Sequence, residues 1–178
     1  MKFISLFAAG AAMLAPTIAA AHPEDAAINR VYAQIRDARA AADVPGMAHA
    51  FEPEALLIDS RSPQPIVGAE LEARLTPMAA RLVADQVKVE TAYRIERRSV
   101  IGDVAVDAGL MHMRFARPDG GALAQPGRPG PKDQYARFLV TMRRQSDGRW
   151  LIIGDASLPA TAETWAAAKR GQGLRFDQ

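Results

Sequence analysis

Cysteine is absent from all 178 residues, so no disulfide staples the chain, no thiolate binds a metal and no lipid anchor can attach through an N-terminal cysteine. Histidine is scarce. The three present, His22, His49 and His112, are far apart in sequence and show neither HxH nor HxxxH spacing, so no metal site is expected. A GxSxG elbow, a phosphate-binding Walker loop and a dinucleotide fingerprint are all missing, and no cofactor is expected. Charge of one sign is lacking too: without Lys2, 21 basic face 20 acidic side chains, which removes the case for a nucleic-acid partner. No apolar run reaches the length of a bilayer span.

What is present begins with residues 1–21, which read as a secretory signal. Lys2 is the basic start, Phe3 to Leu14 the apolar stretch, and Ala19 and Ala21 the small residues before a cleavage point. The expected mature protein therefore starts at His22 and works in the periplasm or as a secreted protein. The 157 residues that remain suit one domain, 22–160, followed by a C-terminal helix and tail, 161–178. A mature N-terminal His22 offers an amine and an imidazole, a copper chelate if His49 or His112 came close. The following Pro23-Glu24-Asp25 reads instead as an exposed helix start.

Apolar residues at Ile28, Val31, Tyr32, Ile35, Ala38 and Ala42 recur at helical spacing and predict a first helix over Pro23 to Ala42. Asp43 reads as the N-cap of a short second helix carrying Val44, Met47 and Phe51 inward and ended by Pro53, with a strand from Ala55 to Ile58. A third helix starts at Gly68 with Leu71, Leu75, Met78 and Leu82 on one side, and Pro77 predicts a kink or a break at Thr76. The period then changes to two. Val87 to Glu96 alternates as a half-buried strand, Ile101-Gly102-Asp103 closes a hairpin, and Val104 to Phe115 is apolar enough to need cover on both faces. Strands over Tyr135 to Arg144 and Trp150 to Ser157 join through Ser146-Asp147-Gly148, and Trp165 should dock a last helix, Thr161 to Lys169. Between them, residues 116–134 are rich in glycine and proline, a loop that is either a lid or a tolerated insertion. The pattern is α+β: three helices, then a strongly curved, mostly antiparallel sheet and a short C-terminal helix.

The segment from Ala38 through Asp43 to Phe51, the Pro65-Ile-Val-Gly68 turn, Gly102-Asp-Val-Ala-Val-Asp-Ala-Gly109, Tyr135 to Arg144 and Asp147-Gly-Arg-Trp to Asp155 resemble the successive landmarks of the nuclear-transport-factor-2-like superfamily. In particular they resemble its secreted, polyketide-cyclase-like (SnoaL-like) branch, over about residues 25 to 158. The resemblance implies a cone-shaped roll whose helices close an apolar cavity over the sheet, and a homodimer through the sheet's outer face. A relative on this scaffold, ketosteroid isomerase, works with a carboxylate base, a tyrosine and a protonated carboxylic acid. Asp59 falls at the base position. Ile35 stands at the tyrosine position with Tyr32 one turn earlier, and Val140 at the acid position, so two of the three parts are missing.

The candidate catalytic residues are therefore Asp59, Tyr32 and His112. Each has a plain alternative: Asp59 as a turn residue before Ser60, Tyr32 as core, His112 as a packed strand residue between Met111 and Met113. Ile35, Met47, Phe51, Leu75, Tyr135 and Arg137 are the candidate ligand contacts, with Arg137 offering a planar fork to a carboxylate and Arg114 as a second cation. The expected partner is a small apolar or weakly anionic molecule, bound by a non-catalytic protein or, alternatively, turned over by an isomerase, cyclase or dehydratase with Asp59 as base. Convergence of Asp59, Tyr32 and His112 in one pocket would separate the two.

Overall fold

In a computed structural model, residues 22–60, 62–117 and 132–168 and the backbone of 175–176 are described. The leader, Arg61, most of the 116–134 loop and the tail glycines lie outside the described residues. Helix α1 (Asp25–Ala40) buries the expected stripe, Ile28, Val31, Tyr32, Ile35 and Ala38, and is slightly shorter than its sequence pattern. Asp43 caps α2 (Val44–Ala48) by accepting from the Gly46 N–H at 3.0 Å.

The chain turns to strand sooner than expected. Phe51 belongs to β1 (Phe51–Asp59), not to the second helix, and Pro53 lies inside that strand instead of ending a helix. Proline is tolerated there because the register of β1 against β6 shifts between Phe51 and Leu56, where a ladder hydrogen bond is not required. Across this bulge Gly68 comes so near that a Cβ would sit 2.1 Å from the Glu52 carbonyl oxygen, which leaves glycine as the residue that fits. A short β2 (Ile66–Val67) and a single 3₁₀ turn, Gly68–Glu70, lead into α3 (Leu71–Ala84). Helix α3 runs through Pro77 as one element, so the expected division at Thr76 does not occur; the Thr76 hydroxyl donates to the Glu72 carbonyl at 2.7 Å. Only Leu71 and Ala79 of α3 are buried, because Leu75, Met78 and Leu82 face an open cavity instead of packed protein.

Strands β3 (Lys88–Ile101), β4 (Val104–Ala116), β5 (Lys132–Arg144) and β6 (Trp150–Pro159) form the expected meander, with α4 (Ala162–Ala167) after it. The sheet order is β2-β1-β6-β5-β4-β3-β7, antiparallel throughout except for β1 beside β6; β7 (Arg175–Phe176) adds an edge pairing that the sequence pattern did not indicate. This is the α+β arrangement read from the sequence, in the cone that the resemblance implies. Its core joins α1 to the inner sheet face through Tyr32, Tyr93 and Phe138, whose ring centroids are 5.0 to 6.1 Å apart, over Ile95, Ala105, Met142 and Ile152. The outer face of β4 receives its cover from the C-terminal segment. Trp165 of α4 lies 5.5 Å from the His112 ring, under the Arg94 guanidinium at 4.1 Å, and its carbonyl accepts from Arg94. Among the described residues no helix is long and apolar enough to cross a membrane.

Candidate ligand cavity

Helices α1 to α3 do not fill the concave face of the sheet. A cavity of about 720 Å³ remains, within the usual size range of small-molecule sites. Its floor is made by buried Tyr32, Ile35, Tyr93, Phe138, Val140 and Ile152, and its walls by Met47, Phe51, Leu75, Met111, Met113 and Phe115. Exposed Arg74 and Arg81 of α3, with Arg117 and Lys132, stand among the residues that line it toward solvent. The four methionines in the lining, Met47, Met78, Met111 and Met113, give the wall a surface that can reshape around a ligand.

Strand parity sorts the residues singled out from sequence. Asp59, Tyr32, Ile35, Met47, Phe51 and Leu75 all line the cavity. His112, Tyr135, Arg137 and Arg114 do not. Met111 and Met113 of β4 and Phe138 and Val140 of β5 point inward, so residues of the opposite parity point to the outer face. There His112 stacks on Tyr135 at 4.5 Å and 10°, bonds Asp133 at 2.7 Å, and Arg137 pairs with Glu96 at 2.5 Å. The three-way convergence of Asp59, Tyr32 and His112 is thus not formed, and neither Arg137 nor Arg114 supplies the cavity cation.

Tyr32 presents its ring to the cavity while its hydroxyl is committed elsewhere. It donates to Asp107 at 2.9 Å, and Asp107, 1 % exposed, takes two bonds from Arg98 at 2.7 Å each. Arg98 also donates to Asp25 at 3.0 Å and Asn29 at 2.9 Å, so one buried cluster ties α1 to β3 and β4. Burial, reinforced by the Asp107 carboxylate, pushes the Tyr32 hydroxyl well above the ordinary tyrosine range, so it stays a neutral donor.

Two residues that sequence reasoning passed over hold the polar part of the cavity. Asp155 of β6 lies across from Val140 on one side and from Leu57, two residues before Asp59, on the other. The carboxylic acid missing at position 140 is therefore present on the neighbouring strand. Its pKa is pushed up to about 6, first because burial strips it of water and further because the Asp59 carboxylate is near; Arg39 pulls the other way. Arg39 follows Ile35 by one helical turn and so reaches the same cavity. One of its amino groups donates to the Tyr93 hydroxyl at 3.2 Å and the Thr91 hydroxyl at 3.4 Å, with the Met111 sulfur at 3.7 Å. Signals for both existed in the sequence: an aspartate inside the apolar run Trp150-Leu-Ile-Ile-Gly-Asp155, and an arginine in step with Tyr32 and Ile35.

Among the described residues no group of three or more histidine, aspartate or glutamate side chains is placed to hold a metal. His22 uses its ring nitrogen Nδ1 to accept from the Glu24 N–H at 3.2 Å, and its own N–H donates to Asp25 at 2.8 Å.

No family model matches the sequence, and no curated protein matches it. Solved structures do. A conserved protein from Planctomyces limnophilus aligns at 17 % identity with a TM-score of 0.62, covering 79 % of this chain and all of that one. ActVI-ORFA from Streptomyces coelicolor aligns at 14 % identity and a TM-score of 0.61, over 75 % and 95 % of the two chains. A ketosteroid isomerase-like protein from Erwinia carotovora atroseptica aligns at 16 % identity and 0.58, over 78 % and 98 %. At these identities the likeness is one of fold: the chain adopts the nuclear-transport-factor-2-like cone, a scaffold class on which function is set by what lines the cavity.

Proposed function

We propose that this protein takes a small, largely apolar molecule into the cone. The observation that carries the reading is the cavity itself: about 720 Å³ of space walled by aliphatic, aromatic and methionine side chains, with Asp155, Asp59 and Arg39 as its inner polar groups. An apolar ligand gains by leaving water for such walls, whereas a polyanion would lose its hydration against them. In a thermal-shift screen, steroid-, aromatic- or fatty-acid-like compounds are expected to raise the melting temperature by binding the folded state alone. Stabilisation by nucleotides or phosphates with none from apolar compounds would contradict this.

A second reading, acid–base turnover of the ligand, is favoured by the Asp59 and Asp155 pair. Two carboxyl groups near each other in an apolar cavity, one of them titrating near 6, can divide the roles of base and acid. Asp59 would remove a proton and protonated Asp155 would donate a hydrogen bond or a proton to the developing oxyanion, so Asp59→Asn should keep the fold and abolish turnover. Full activity in that variant would remove Asp59 from the chemistry.

The site of action we propose is the periplasm or the medium, after cleavage at Ala21. We further propose a homodimer through the outer sheet face, where Leu56, Leu139 and Leu158, each half or more exposed, surround Gly154 and Ala156 by strand register. Protein recovered from a periplasmic extract should begin at His22 and scatter light as a dimer, and Leu139→Arg should make it monomeric. A precursor retaining residues 1–21, or a monomer across a wide concentration range, would count against these two proposals respectively.

A further inference from the structure

Of the basic residues lining the cavity, Arg39 is the one rooted in α1 beside the floor, and its partners are unusual for a half-buried guanidinium. A buried arginine is ordinarily neutralised by a carboxylate, as Arg98 is by Asp107 and Asp25. Arg39 instead has hydroxyls from Tyr93 and Thr91 and a thioether from Met111, all uncharged and all on the same amino group. Among the described residues it makes no ion pair within 4 Å. Arg39 acts on Asp155 through space, without an ion pair within 4 Å. The rest of the fork, Nε and Nη2, makes no hydrogen bond with the described residues, and the half-buried side chain lines the cavity. The hydroxyls thus hold one arm of a lining guanidinium and leave its other donors for a ligand.

We propose that Arg39 binds the carboxylate of an amphipathic monoanion, a molecule with one anionic group on an otherwise apolar body. This rests on the cavity reading above and names the ligand class within it. A carboxylate matches the planar two-donor edge of the fork, and the apolar body then lies against Phe138, Met113 and Leu75. Among the described residues Arg39 is the one cation beside the floor, and Asp59 and Asp155 are carboxyls there, so a phosphate monoester would bring a second charge with no second inner cation to meet it. Charge around the opening favours the same class: Arg74, Arg81, Arg117 and Lys132 with Arg39 make five basic residues in the lining against Asp59, Asp85 and Asp155.

The test compares 2-naphthoate with 2-naphthamide, which share a ring system and differ in charge, by titration calorimetry at pH 5, where Asp155 keeps its proton and the naphthoate is anionic. Wild type should bind the naphthoate about tenfold more tightly or better, a charge-assisted bidentate pair against a neutral one. Arg39→Gln should erase that preference, the naphthoate losing at least about tenfold more affinity than the naphthamide. Arg39→Lys keeps the charge without the fork, and should retain only part of the preference even if the glutamine variant fails to fold. Equal affinities in wild type, or a preference that survives in Arg39→Gln, would overturn the assignment while leaving the apolar cavity intact. Binding of neither ring at millimolar concentration would overturn the cavity reading and the anchor together.

Discussion

Asp107→Ala is expected to destabilise the protein by about 3–5 kcal/mol, the usual cost of leaving one partner of a buried ion pair behind. Asp107 is 1 % exposed and holds three bonds, two from Arg98 and one from Tyr32. Removing it strands the Arg98 guanidinium, whose side chain is 4 % exposed, with Asp25 as its remaining charged partner, and leaves the Tyr32 hydroxyl without that acceptor. Burial alone would lower the Arg98 pKa; the hydrogen bonds it donates to Asp107 and Asp25, together with the charge of Asp107, outweigh that and raise it. Tyr32→Phe removes the hydrogen bond to Asp107 and should cost less, about 1 kcal/mol. Urea midpoints at constant slope would give both values. A loss below about 1 kcal/mol for Asp107→Ala would mean that the cluster carries little of the fold.

The second large effect has the opposite sign. Asp155→Asn is expected to stabilise the protein at pH 8. An unfolded aspartate titrates near 3.8, and in the folded protein Asp155 titrates near 6. Below about pH 4 the group is protonated in both states and costs nothing. As the pH rises through the window from 4 to 6 the folded state holds the proton longer than the unfolded state, so stability falls, and above 6 the whole penalty of an ionised carboxyl in the cavity is present. A shift of about two units corresponds to roughly 2–3 kcal/mol. Asparagine removes the charge and keeps the shape, so its advantage over wild type should be full at pH 8 and almost gone at pH 4. An asparagine variant less stable than wild type at pH 8 would mean that the carboxylate is held by favourable contacts. A residue that weakens the fold at neutral pH while facing an open cavity has the profile of a group kept for function.

The scaffold was largely legible in the sequence because it rests on periodicity. The stripe from Ile28 to Ala38, the Asp43 cap, the Gly102-Asp103 turn and the alternation of β3 each follow from local spacing. The start of β1 was not legible, because Pro53 reads as a helix end unless the bulge against β6 is known. Nor was the unbroken course of α3. The candidate site was half legible. Cavity-facing Tyr32 and Ile35 could be read from the stripe of α1 and Asp59 from the position that the resemblance implies for a base, whereas His112, Tyr135 and Arg137 required the register of β4 against β5, which one residue of slip reverses. Asp155 and Asp107 share a signal that a hydrophobicity pattern discounts: a lone carboxylate inside an apolar strand has to be either paired, as Asp107 is, or turned to a cavity, as Asp155 is.

The most direct test is a carbon-detected NMR titration of the Asp155 side-chain carboxyl, in wild type and in Asp59→Asn. If Asp155 faces the apolar cavity beside Asp59, its midpoint lies near 6 and moves down when the Asp59 charge is removed. A midpoint below about 4.5 in wild type, unmoved in the variant, would contradict both the burial of Asp155 and its coupling to Asp59.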